Sequence, residues 1–169
     1  DILKKNGSAD LIIARHCFAH NENPHEFLKA SKELLSEDGH LVIENAYVLS
    51  TLENNEFDQI YHEHMFYFSI QSMQKALSMN GLKLVDIMIS LIHGGSIVFV
   101  ADKIERSTIR SDLLEKYFNY ESSVLQEALL NRFANNALKI KEDLKKIICN
   151  ISKSKKNIIY SYGATAKGN

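Results

Sequence analysis

The sequence predicts an α/β fold, a mostly parallel doubly wound sheet that finishes in an antiparallel hairpin, and three patterns predict it. An apolar run at Asp10 to Ala14, a helix-spaced segment and a second apolar run at Leu41 to Ile43 succeed one another within about 35 residues, the length of one parallel crossover unit. The runs Leu82 to Leu91 and Ser96 to Ala101 flank His93-Gly94-Gly95, whose glycine pair suits a tight reversal. From Ser96 to Tyr162 there is no glycine or proline, and apolar residues recur every three or four positions.

The elements follow in chain order. Asp10 to Ala14 is nearly continuous in apolar residues, the pattern of a strand buried on both faces. Pro24 suits a first helical turn, and Phe27, Leu28, Ser31, Leu34 and Leu35 keep helical spacing until Asp38-Gly39. Leu41-Val42-Ile43 is the next buried strand. After an irregular stretch, Ser69 caps a helix through Met73, Leu77 and Met79 that Asn80-Gly81 closes. The two hairpin strands come next. Leu114, Phe118, Leu125, Leu129, Phe133, Ala137, Ile140, Leu144, Ile148 and Ile151 then mark a long helix or a helical pair, with Lys145, Lys146 and Lys153 on a solvated face. Ile158 to Tyr162 reads as a strand feeding a glycine turn. The chain starts with Asp and stops where a helix should follow that turn, so it is expected to be a piece of a longer protein.

Composition narrows the function. The 169 residues are 45% apolar and 24% charged, enough for an ordinary core. Lys+Arg 20 against Asp+Glu 21 leaves a net charge of -1, which speaks against nucleic acid as a partner. Two distant cysteines, Cys17 and Cys149, make neither a four-cysteine zinc site nor a disulfide framework, and a cytoplasmic setting is expected. No apolar run approaches the roughly 20 residues of a membrane helix, so no membrane partner is expected.

Ligands of open α/β sheets bind beyond the carboxyl ends of the strands. That rule selects Arg15, His16, Cys17 and His20 after the first strand, and Glu44, Asn45 and Tyr47 after the second. The densest signal is Phe57 to Phe68, which holds Phe57, Tyr61, Phe66, Tyr67 and Phe68 together with His62, Glu63 and His64. Three readings stay open for it. His62 and His64 on an extended segment would share a side as metal ligands, with His93 as a third. An amphipathic segment with buried aromatics and exposed histidines needs no chemistry at all. General acid/base work by Tyr61, Glu63 and a histidine is the third, since an imidazole titrates near neutral pH and a partner fixes its tautomer.

Phe57 to Ser69, the turn His93-Gly94-Gly95-Ser96 and the terminal Gly163-Ala164-Thr165-Ala166-Lys167-Gly168-Asn169 resemble the S-adenosylmethionine-dependent sugar C-methyltransferases, which act on nucleotide-linked keto-deoxysugars. The Asp10 strand, His20, Glu44 and Tyr47 fall in the same order. The chain departs from the family at Ala46, where a proline often precedes the tyrosine, and Lys167-Gly168-Asn169 is not a true P-loop.

The resemblance implies the second half of a class I, Rossmann-like methyltransferase sheet over residues 1–104. A helical connector over 105–156 and the start of a second Rossmann-like domain over 157–169 complete the expected division. It implies S-adenosylmethionine as cofactor, with Arg15 and His16 on the donor side. The family's zinc-binding module and glycine-rich donor loop are not in this sequence, and no metal is expected within it. The substrate side is expected to include Tyr47, His93, Gly94, Gly95 and Lys167, the terminal turn meeting a diphosphate through backbone N–H groups. In the implied reaction a proton leaves the carbon next to a sugar ketone, and that carbon accepts a methyl group. His64 is the expected base, Glu63 orients it or a substrate hydroxyl, and Tyr61 and His20 donate to the developing oxyanion. The alternatives are a non-catalytic nucleotide-sugar binding or assembly module and a His-x-His metal-dependent enzyme.

Overall fold

The computed structural model describes residues 2–106, 108–153 and 157–160. A short helix, α1 (Ile2–Asn6), leads into β1 (Ala9–Arg15), and α2 (Pro24–Leu34) returns the chain to β2 (Leu35–Ala46). Pro24 stands in the first turn of α2, where its missing N–H costs nothing, and the Asn23 side chain accepts from the Glu26 amide at 3.3 Å. After α3 (Val48–Glu53) and the Phe57–Phe68 segment comes α4 (Ile70–Met79). Ser69 and Ser72 bond reciprocally across its first turn as a capping box.

β3 (Leu82–Ser90) and β4 (Ser96–Lys103) complete a four-stranded sheet of order β1-β2-β4-β3, in which β1 and β2 are parallel and the other pairs antiparallel. The sheet is thus a parallel crossover joined to an antiparallel hairpin. The reversal between β3 and β4 is a wider turn than a two-residue hairpin, a 3-10 turn over Ile92–Gly94 with positive φ at His93, Gly94 and Gly95. At Gly95 a Cβ would stand 2.5 Å from the Ser50 Cβ, so the turn seats tightly on α3.

Two expectations need correction. Helix α2 stops at Leu34, before Asp38-Gly39, and Leu35 already pairs with Ala9. The register then jumps to Leu11 opposite His40, and Gly39 lets the bulge lie against β1, where a Cβ would be 2.7 Å from the Ala9 carbonyl oxygen. Nor is β1 buried on both faces: Leu11 and Ile13 are 54% and 62% exposed. The core occupies one face, where Leu28 of α2 and Met73 and Leu77 of α4 pack on Leu41, Ile43 and Phe99. No described element covers the other face.

The glycine-free region forms a helical pair, α5 (Asp112–Val124) and α6 (Glu127–Ser152). Leu114, Leu129 and Phe133 join the core, whereas Ile140, Leu144, Ile147 and Ile151 stay substantially exposed along α6. Lys145, Lys146 and Lys153 are on solvent. The expected terminal strand is not formed over Ile158–Tyr160, which pair with no strand among the described residues, and its remainder, with Gly163 to Asn169 and Lys167, lies outside the described residues.

Candidate functional site

Parallel strands present their carboxyl ends at one edge of the sheet, and there the chain gathers four imidazoles. His16, His20, His64 and His93 line a cavity of about 230 Å3 together with Ala46, Gln59 and Tyr61. β1 delivers His16 in a left-handed conformation with φ of 48°. His20 ends a 3-10 turn over Phe18–His20, whose Phe18 is stacked on Phe68 in the core with centroids 5.0 Å apart. His93 comes from the turn between β3 and β4, its ring edge-on to His16 at 5.0 Å.

The segment Phe57–Phe68 is shaped by the backbone. Its 3-10 turn over Phe57–Gln59 points the Gln59 carbonyl inward, and the Nδ1 of His64 lies 2.9 Å from that oxygen. A carbonyl only accepts, so Nδ1 carries the proton in neutral His64 and Nε2 keeps the lone pair. The Tyr61 hydroxyl reaches that Nε2 at 3.2 Å and donates to it. His20 is set by the same logic: its Nδ1 is 2.7 Å from the Glu63 carbonyl oxygen, and its ring lies 4.9 Å from His64. Tyr61 and Tyr67 flank His64 at 4.3 and 5.9 Å, and burial pushes the Tyr67 hydroxyl above its ordinary pKa. Gln59 also donates from Nε2 to the His93 carbonyl at 3.1 Å, tying the segment to the turn.

His20, Tyr61, His64, His93 and His16 are therefore brought together, and other expected residues are not. The Glu63 carboxylate is half-exposed with His62 at 4.0 Å, so the Gln59 carbonyl and not Glu63 orients His64. Glu63 contributes its backbone instead. Arg15 points its guanidinium at Glu44, with Nε 2.5 Å from Oε2, and the other Glu44 oxygen is 3.3 Å from His16 Nε2. Gly94 and Gly95 shape the turn without lining the cavity.

Tyr47 is buried, 2% exposed, and does not line the histidine cavity. Its hydroxyl donates to Glu121 Oε2 at 2.9 Å, and Glu121, 0% exposed, also accepts from the amides of Ile70 and Gln71 at 2.7 and 3.0 Å. A carboxylate from α5 thus caps the amino end of α4, where the helix dipole favours negative charge. Burial, then the adjacent Glu121 charge, drives the Tyr47 pKa far above the tyrosine range. Sequence reasoning missed both Glu121 and Gln59. Glu121 has no local signal, because its partners are 50 to 74 residues away; Gln59 acts through its carbonyl, which any residue carries. Among the described residues no three His, Cys, Asp or Glu side chains are grouped to hold a metal ion, so the His62, His64 and His93 ligand set is not assembled. No helix among them is long and apolar enough to cross a membrane.

The chain is similar to known methyltransferases. Residues 1–87 match the methyltransferase domain family, and residues 91–169 match the C-methyltransferase C-terminal domain. The C-methyltransferase NovU of Streptomyces niveus is 32% identical over 170 aligned positions, covering 99% of this chain but 40% of its own length. This chain therefore spans well under half of that relative. Among solved structures, the Haloferax volcanii complex of the Trm112 methyltransferase activator with a methyltransferase aligns at a TM-score of 0.48 with 14% identity, over 59% of this chain and 55% of that one. Magnesium protoporphyrin IX methyltransferase from Synechocystis, with bound SAH, aligns at 0.44 with 16% identity over 66% and 49%. The match to the methyltransferase domain family spans just over half of the sequence, and the chain belongs to that family, with a C-methyltransferase C-terminal domain match over residues 91–169.

Proposed function

We propose that this chain supplies the acid/base half of an S-adenosylmethionine-dependent C-methyltransferase acting on a nucleotide-linked keto-deoxysugar. The observation that carries the reading is the fixed tautomer of His64, with Nδ1–H held by the Gln59 carbonyl and Nε2 at the cavity. An imidazole so held presents a lone pair without needing a carboxylate partner. His64 Nε2 takes the proton from the carbon next to the sugar ketone. The Tyr61 hydroxyl, released from Nε2 as the substrate enters, turns its O–H to the enolate oxygen. His20 spends its Nδ1–H on Glu63, so it donates to that oxygen from Nε2 only as an imidazolium.

The cofactor's fit rests on His16. Its buried Nε2 has no hydrogen-bond partner and lies near Glu44 Oε1 without hydrogen-bond geometry, at the carboxyl end of β1. An orphaned polar atom in that place suits one polar edge of a bound ligand, and Arg15 and His16 would hold that edge. When bound, S-adenosylmethionine supplies the methyl group. The division into a methyltransferase part over 1–104, a connector over 105–156 and a second domain from 157 belongs to the same reading, as do substrate contacts from Gly94, Gly95 and Lys167.

The test is His64→Asn in the full-length protein. Loss of turnover together with loss of solvent-deuterium exchange at the carbon next to the ketone is expected, and retention of both would exclude His64 as the base. For Tyr61→Phe and His20→Asn, turnover should fall by more than KM rises.

A further inference from the structure

The histidine cavity takes one of its walls, His93, from the turn between β3 and β4, and that turn is held from outside itself. Three successive carbonyls of the turn accept hydrogen bonds from the stretch between β2 and α4. The Tyr47 amide donates to the Gly95 carbonyl at 3.0 Å, the Asn54 side chain to the Gly94 carbonyl at 3.2 Å and Gln59 Nε2 to the His93 carbonyl at 3.1 Å. The last of these falls on a strained residue. His93 holds φ of 54° and ψ of 37°, in the left-handed region that a residue with a Cβ rarely occupies. Its ring is exposed at the cavity rim, edge-on to His16, so packing does little to keep it there. A bond to the His93 carbonyl fixes the rotation about Cα–C, which is ψ itself.

We infer that Gln59 is a positioning residue whose side-chain amide keeps the His93 ring at the cavity that holds His64; the inference rests on the reading of that cavity as the place where His64 acts. Gln59 is 7% exposed, and its amide can face the His93 carbonyl only with its nitrogen, because a carbonyl accepts and does not donate. Its own main-chain carbonyl accepts from His64 Nδ1 at 2.9 Å and from the Tyr67 hydroxyl at 3.3 Å. One buried residue thus holds His64 with its backbone and His93 with its side chain. Without the amide, His93 relaxes to an ordinary backbone conformation and its ring leaves His16 and the cavity. His64 keeps its tautomer, because every residue type supplies the carbonyl behind it. The base survives while the cavity loses a wall.

The experiment is NMR of the histidine-labelled full-length protein, wild type and Gln59→Met, with no ligand added. In the wild type, His64 should report the Nδ1–H tautomer, and the His16 and His93 ring protons should show a mutual nuclear Overhauser effect. In Gln59→Met that effect should disappear while the His64 signal stays, whereas a merely structural loss would disturb both. Gly95, whose amide closes the turn on the Ile92 carbonyl at 3.2 Å, gives a second readout. Its hydrogen exchange should speed about fivefold in Gln59→Met, the size of one net hydrogen bond. Glycine takes left-handed backbone without strain, so on a His93→Gly background the same substitution should leave Gly95 exchange within about twofold. That comparison holds even where Gln59→Met is less stable than the wild type. Survival of the His16–His93 effect in Gln59→Met, joint loss of both ring signals, or an equal rise in Gly95 exchange on both backgrounds would overturn the inference. A wild-type His64 in the Nε2–H tautomer would instead overturn the reading of His64 as the base.

Discussion

Two histidines differ in what their second ring nitrogen meets: His40, midway along β2 and about 20 Å from Ala46 at the cavity edge at the rise of an extended strand, and His64, in the cavity itself. His40 Nδ1 lies 2.6 Å from Oδ1 of Asp102, a carboxylate that is 0% exposed. On chemistry alone that pair looks the more active, since a carboxylate behind the ring fixes its tautomer and orientation. Yet Nε2 of His40 is met by the Arg106 guanidinium at 3.2 Å, and Asp102 is further engaged by Thr108 at 2.5 Å and Arg106 at 3.4 Å. The network ties the segment after β4 back onto the sheet. Behind His64 lies the Gln59 carbonyl, and the ring's Nε2 meets a tyrosine hydroxyl in a cavity. A reactive imidazole is distinguished by where its lone pair points, and a carboxylate behind the ring is not enough.

The sharpest way to break this contrast is to remove each ring in turn. His64→Asn is expected to lower turnover by about 100- to 10,000-fold, the range of a positioned base, with the melting temperature nearly unchanged. Next in size is the Glu121 latch. Glu121→Ala strands the Tyr47 hydroxyl and two helix amides, and chemical denaturation should register a loss of about 2–4 kcal/mol. His40→Asn should do the converse of His64→Asn, costing about 1–2 kcal/mol of stability while turnover stays within about twofold. Similar turnover losses in the two histidine variants would erase the distinction.

The smallest effect concerns alkali. Because the folded pKa of Tyr47 is raised, its contribution is fully present below the unfolded tyrosine value of about 10 and lost as pH rises above it. Denaturation followed from pH 9 to 11 should therefore show a steeper decline for wild type than for Tyr47→Phe. Equal slopes would mean that Tyr47 is not held in its protonated state by burial and Glu121.

Much of this was legible beforehand, for reasons that differ by residue. The Ser69 cap and the Asn80-Gly81 stop were readable because caps are made by neighbours in sequence. His20 was legible from its place after a strand end and His64 from a dense polar-aromatic segment, but only the family resemblance joined the two. The exposure of Leu11 and Ile13 was not, since a run of apolar residues does not say which faces have a partner. Glu63 was given a carboxylate's role from its identity, whereas its carbonyl is what reaches His20. Glu121 looked like one more polar residue on a helix, because nothing within a turn or two of it announces Tyr47 or the start of α4.

The sequence by itself determined the kind of element at each point, the parallel crossover, the glycine turn and the inventory of imidazoles, because periodicity, caps and turn residues act over a few positions. Only the tertiary structure decided which histidines converge, which tautomer each adopts and which nitrogen is left at a cavity. Those outcomes depend on backbone carbonyls and buried partners from distant segments, and main-chain atoms leave no trace in residue identity.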